Sequence, residues 1–222
     1  MDSRAIGRAL VQAVPAVVTI LVATQALKDG YYRHANREYT TPHVQPYTVA
    51  DNAELPLDSK QLFYLTDVGC SLLLVAALFG FEEPPVALVH AISAFNGYGM
   101  QRLIIQGLKD GVGALRPNGD YGSFPSGHTG SAAAWCFYGL EWVLSKKTRT
   151  VPWYLMQVFA CLCLMAYPWF VAGMRILGSY HYAADVTAGM FIGSVSAWMA
   201  FACQRNYKPV DNKYIRAFSA RE

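Results

Sequence analysis

The sequence predicts an all-α integral-membrane protein, a bundle of six transmembrane helices, on three observations. Of its 222 residues, 54% are hydrophobic and only 15% charged, whereas soluble domains carry about 25% charged residues. The charges are also unevenly placed, with none over residues 9–27, 84–101, 121–140, 150–174 or 186–204. Each gap is near or above the ~18 residues with which a helix crosses about 30 Å of hydrocarbon. Mean hydropathy is accordingly positive, +0.21. This pattern excludes a soluble catalytic domain. A net charge of +3 and a pI near 8.6 are too mild to point to nucleic acid.

The predicted spans lie near 9–27, 62–80, 86–108, 127–144, 152–173 and 184–204, and residues 1–222 read as one domain. The first span follows Arg4 and Arg8. It is longer than a secretory apolar core of about 7–15 residues and lacks a small-residue cleavage site, so it reads as an uncleaved helix. Asp67 interrupts the second span, and Glu82-Glu83-Pro84-Pro85 makes a break before the third. The five cysteines, Cys70, Cys136, Cys161, Cys163 and Cys203, all sit in apolar stretches and read as small hydrophobes.

Six spans put both termini on one side, together with ten of the eighteen basic residues, among them Arg4, Arg8, Lys146, Lys147 and Arg205. By the positive-inside rule that side is cytoplasmic. Residues 205–222 are then a cytoplasmic tail and 28–61 a long extracytoplasmic loop. The short chain and economical loops read as bacterial, which places it in the inner (plasma) membrane.

Three segments fall at the outer face by this count. Span three ends in Lys109, followed by Arg116-Pro117. Span four opens with Phe124-Pro125-Ser126-Gly127-His128, and Arg175, His181 and Asp185 lie between spans five and six. Lys109, Arg116 and Arg175 are three cations suited to phosphate oxygens. Pro125 and Ser126 favour a helix start, whose outward amides bind anions, and Gly127 lets an anion approach the backbone. Asp185, four residues after His181, is spaced to fix the imidazole tautomer and leave the other nitrogen as a nucleophile. His128 is placed to protonate a leaving alkoxide. Phosphoryl transfer is mostly positioning and charge stabilisation, so this set suffices with no metal or cofactor.

These segments resemble the signature of the type 2 phosphatidic acid phosphatase (PAP2) superfamily: Lys-x6-Arg-Pro, Pro-Ser-Gly-His, and Ser-Arg-x5-His-x3-Asp. The resemblance covers residues 109–185 by motif and most of the chain by layout. It implies a six-helix lipid-phosphate phosphatase in which His181 forms a phosphohistidine, Asp185 orients it and His128 is the general acid. Lys109, Arg116, Ser126, Gly127 and Arg175 would hold the phosphate. One departure is visible: Met174 stands where the family has Ser, removing a hydroxyl from the expected rim of the phosphate site.

The implied partners are the bilayer and a lipid phosphate or pyrophosphate within it. Two rivals are a lipid phosphotransferase using the same phosphoenzyme and a non-catalytic phosphate-lipid binder or transporter. Elsewhere structural readings prevail. Asp67 and Arg102 sit at similar depth, where an isolated charge costs at least about 2.5 kcal/mol, so they are expected to pair. Glu141 is expected to reach water or Lys146, Trp142, Trp153 and Trp169 to form interfacial belts, and His90 to be structural. Tyr31, Tyr32, His34, Tyr39, His43 and Tyr47 crowd the outer loop, which is read as partly folded, with a head-group lid as the sharper alternative.

Overall fold

The computed structural model describes residues 59–147 and 150–206, and everything in this range is helical or connecting loop. The first predicted span, the aromatic loop and most of the tail lie outside the described residues. Five helical rods follow. The first joins α1 (Ser59–Phe63), a π-helical stretch (Tyr64–Gly69) and α2 (Cys70–Phe81). Backbone angles at Phe63 and Cys70 stay helical, so the rod is continuous through the π segment. The other rods are α3 (Pro84–Val112), α4 (Gly127–Leu144), α5 (Val151–Leu177) and α6 (Ala183–Asn206). The outer loop expected over 28–61 thus cedes Ser59, Lys60 and Gln61 to the first rod. Among the described residues, three helices are long and apolar enough to cross a membrane: Gln61–Phe81, Val151–Leu177 and Ala183–Arg205.

Of the remaining two rods, α4 is the inner one. Twelve of the eighteen residues of α4 are buried, so its outer surface faces other helices rather than lipid. The buried core joins Leu74, Leu78, Ala87, Ala91, Trp135, Tyr138 and Phe201. Large side chains such as Leu73, Phe159 and Phe191, each about 70% exposed, ring the outside. An apolar exterior around a partly polar interior is the distribution expected of a protein that sits in lipid.

Each helix end on the Lys109 side of the bundle has a local cause. Gly113 takes φ 62° and returns its amide to the Lys109 carbonyl at 3.0 Å. This left-handed stop, which favours glycine, puts Lys109 in the last turn. Ser126 has extended angles and precedes the first residue of α4, and its amide donates to the Asp185 carbonyl at 2.9 Å. The start of α4 is thereby tied to the start of α6. Along this pair the backbones nearly touch. A methyl on Gly189 would meet the Ser126 carbonyl, and one on Gly193 the Gly130 carbonyl. Small residues at such crossings are what lets membrane helices approach closely.

At the opposite face one expectation narrows, leaving water rather than Lys146 for the half-buried Glu141, and one fails. Lys146 pairs with Glu82, not Glu141, because the break at 82–85 brings Glu82 under the end of α4. Trp142 is buried and donates its indole N–H to the same carboxylate at 2.6 Å. It is a core residue, whereas Trp153 and Trp169 are exposed. His90 is structural as expected, bonded to Tyr138 at 3.1 Å within the core.

The α4–α6 crossing yields a stability prediction. Gly193→Ala should cost about 1–3 kcal/mol through overpacking, read as a lower melting temperature in detergent. Gly107→Ala, where an added methyl meets nothing, should cost nothing. Equal effects of the two would disprove the close crossing.

Candidate active site

One face of α3 sets the floor of the site. Arg102, Ile105, Gln106 and Lys109 follow the i, i+3, i+4, i+7 spacing of a single helical face, and all four line one cavity of about 100 Å³. Arg116, Gly127, His128 and His181 complete it. One water takes about 30 Å³ of liquid, so a tetrahedral oxyanion fits. The cavity lies where α3 and α5 end and α4 and α6 begin, opposite the Lys146–Glu82 face.

The loop between α3 and α4 folds back on itself. Leu115 bridges Tyr121, the Arg116 amide donates to the Asp120 carbonyl at 2.7 Å, and the Ser123 amide to Ala114 at 2.9 Å. The Lys109 ammonium donates to the Gly122 carbonyl at 2.7 Å. Gly122 has φ 76°, a left-handed angle that favours glycine and turns that carbonyl toward the lysine. Asn118 ties the loop to the α5–α6 connection by donating its amide to Ser179 at 3.1 Å.

His181 is 2% exposed, and its Nδ1 faces Asp185 Oδ2 at 3.6 Å. That separation suits an ion pair but is too long for a hydrogen bond. The same Oδ2 accepts the Ser123 hydroxyl and, at 2.9 Å, the Tyr182 amide. The carboxylate is therefore anchored from two sides while it holds one imidazole edge. His181 is itself a cavity residue.

Not every expected residue reaches the cavity. Ser126 is fully buried and shares a hydrogen bond with Thr129 at 3.1 Å. Arg175 is 2% exposed in the last turn of α5, its guanidinium 4.0 Å over the Tyr180 ring. Asp185 stands behind His181. Lys109, Arg116, Gly127, His128 and His181 share the cavity walls, while Ser126, Arg175 and Asp185 form a layer outside them. Met174 does not reach the rim. It is buried with Leu62, Ala132 and Val171, so its missing hydroxyl changes a helix contact.

Two residues, Gln106 and Ser123, emerge only from the fold, and a third, Arg102, gains a second role there. Gln106 lines the cavity and donates to Asp110 at 3.0 Å. Ser123 anchors Asp185, and nothing in its spacing signals that. Arg102 pairs with Asp67 at 3.6 Å, as expected, but also lines the cavity. The spacing of 102, 105, 106 and 109 carried that signal.

The family-level evidence agrees with the motifs. The PAP2 superfamily model matches residues 86–209. The chain belongs to the PAP2 superfamily. Its fold is similar to the crystal structure of a transmembrane PAP2-type phosphatidylglycerolphosphate phosphatase from Bacillus subtilis. That match has a TM-score of 0.52 at 16% identity and covers 93% of this chain and 97% of the other. No curated protein sequence shows detectable similarity.

The site's electrostatics follow from burial among cations. Burial pushes the His181 imidazole down to about 4, with Lys109, Arg175 and Arg116 adding to the shift and Asp185 opposing it. A depressed value means the ring binds a proton only well below its ordinary 6.5. Nitrogen-15 spectra of the protein in detergent should show His181 neutral at pH 6 and titrating toward pH 4. Titration near 6.5 would mean the ring is not enclosed among these cations.

Proposed function

We propose that this PAP2 protein is a metal-independent lipid phosphatase that removes the terminal phosphate of a membrane lipid phosphate or pyrophosphate through a phosphohistidine. The observation that carries this reading is the placement of His181, which lines a cationic cavity while the Asp185 carboxylate stands 3.6 Å behind its Nδ1. Nε2 attacks phosphorus, the N–P bond forms, and the bond to the leaving oxygen breaks. His128 protonates that oxygen. His128 then takes a proton from water, which attacks phosphorus and releases orthophosphate as the N–P bond breaks. Asp185 stabilises the imidazolium-like nitrogen as charge develops, as a carboxylate does behind a catalytic histidine.

Lys109, Arg116, the amides at the start of α4 and, through its field, Arg175 stabilise the equatorial oxygens. Cationic walls suit an oxyanion. The phosphatidylglycerolphosphate phosphatase of similar fold supports a lipid substrate. A site at the ends of membrane helices also admits a head group while its chains stay in lipid. The basic residues near the opposite helix ends support an extracytoplasmic cavity, cytoplasmic termini and, with the short loops, a bacterial inner membrane.

Phosphate release by purified, detergent-solubilised protein should persist in EDTA against a panel of lipid phosphates and pyrophosphates. Vanadate should inhibit it. His181→Ala should lower release by about 10³-fold or more. Equal activity in parent and variant removes His181 as nucleophile, and a strict Mg²⁺ requirement for the bare catalytic step removes the mechanism.

A further inference from the structure

Arg102 is a half-buried charge that a pairing with Asp67 does not fully explain. Asp67 sits in the π-helical stretch of the first rod, a kind of distortion that often accompanies function. Its carboxylate approaches Arg102 Nη2 at 3.6 Å and has no hydrogen-bond partner among the described residues. The guanidinium is steered instead by Tyr98, whose hydroxyl accepts from Nε at 2.9 Å. Its Nη1 is turned to the start of α4, 3.4 Å from where a methyl on Gly127 would sit. Asp67 and Tyr98 thus aim the fork into the cavity that Arg102 lines.

Its place in that cavity is one-sided. Arg175 and Lys109 act on both histidines, whereas Arg102 acts on His128 and is not among the cations acting on His181. Arg102 is also seven residues before Lys109 on the same helix, about 10 Å farther from the outer end. In-line displacement puts the leaving oxygen opposite the nucleophile. In the reading proposed above, on which this inference rests, the leaving oxygen faces His128 and the lipid extends inward from it. Arg102 therefore stands where the atoms next to the leaving oxygen must lie.

We propose that Arg102 is a specificity-determining residue that binds the second phosphate of a lipid diphosphate. His181 forms its bond to the terminal phosphorus, and the bond from that phosphorus to the bridging oxygen breaks. The lipid monophosphate departs with the electron pair, its new charge held by the Arg102 fork. Water then releases orthophosphate from His181. A monophosphate ester leaves as an alkoxide, presents no phosphate to Arg102 and draws on the His128 proton instead.

The test compares kcat/KM for farnesyl diphosphate and farnesyl monophosphate in detergent with EDTA. The parent should favour the diphosphate, and Arg102→Gln should lower the diphosphate-to-monophosphate ratio by about 10²–10³-fold, the scale of a lost transition-state donor. Arg102→Lys, which keeps the charge but not the fork, should lower the ratio less. The Asp67→Asn/Arg102→Gln double variant leaves no unpaired charge, so it tests the role without that folding burden. Its ratio should stay as low as in Arg102→Gln. A ratio restored in the double variant, or unchanged in every variant, would show that Arg102 only neutralises Asp67 and would overturn the proposal. So would a parent that favours the monophosphate. A parent that hydrolyses neither compound, or a His181→Ala variant as active as the parent, overturns the phosphatase reading itself and this inference with it.

Discussion

Asp185 is the point through which the outer end of the bundle is held together. Its carboxylate takes the Ser123 hydroxyl and the Tyr182 amide and faces His181, while its backbone carbonyl takes the Ser126 amide. Four segments thus meet at one residue: the end of the α3–α4 loop, the start of α4, the α5–α6 connection and the first turn of α6. Hydrogen bonds to a charged group contribute about 1.5–3 kcal/mol each, enough to offset much of the cost of burying the carboxylate. The anchoring also makes the imidazole's position a property of the whole bundle. Gly189, one turn along α6, permits it, because a side chain there would hold α6 away from Ser126.

Around that anchor the protein gathers like charges. Arg102, Lys109 and Arg116 line a cavity of about 100 Å³, with Arg175 buried just behind. Burying cations together is unfavourable, and among the described residues Asp67 at Arg102 and Asp120 and Asp185 at Arg116 partly balance them. Such a site stores repulsion that an oxyanion relieves on binding. Because the donors are already fixed by Gly122, Tyr98 and the helix ends, little reorganisation is needed as charge develops on phosphate. The fold carries the cost elsewhere, in the close-packed small residues of α4 and α6 and the apolar cluster around Trp135, Tyr138 and Phe201.

Much of this was legible in one dimension. Charge-free stretches located the four later spans to within a few residues of the helices observed, because a membrane leaves a helix little choice of composition. The weakest, 62–80, also holds, with its π segment at the Asp67 that interrupts the hydropathy. The motifs of His128, His181 and Asp185 were legible because their chemistry uses few residue types at fixed spacing. Legibility fails where the deciding neighbour is distant in sequence. Lys146 finds Glu82 across the bundle, Trp142 turns inward to the same carboxylate, and Met174 rotates into the cluster with Leu62 and Ala132.

By itself, then, the amino-acid order determined a membrane-embedded helical bundle, the ends of its helices and the cationic and histidine residue types that gather at one end of it. Those follow from local rules: hydropathy over a span, glycine at a left-handed stop, proline at a break. Only the tertiary structure decided which residues enter the cavity and which stand behind it. Helix rotation and crossing place Arg102 and Gln106 on the wall with Lys109, turn Ser126 toward Thr129, and set Ser123 against Asp185. A side chain's spacing along its own helix is fixed by the backbone period, but the face it presents is set by packing against neighbours far along the chain.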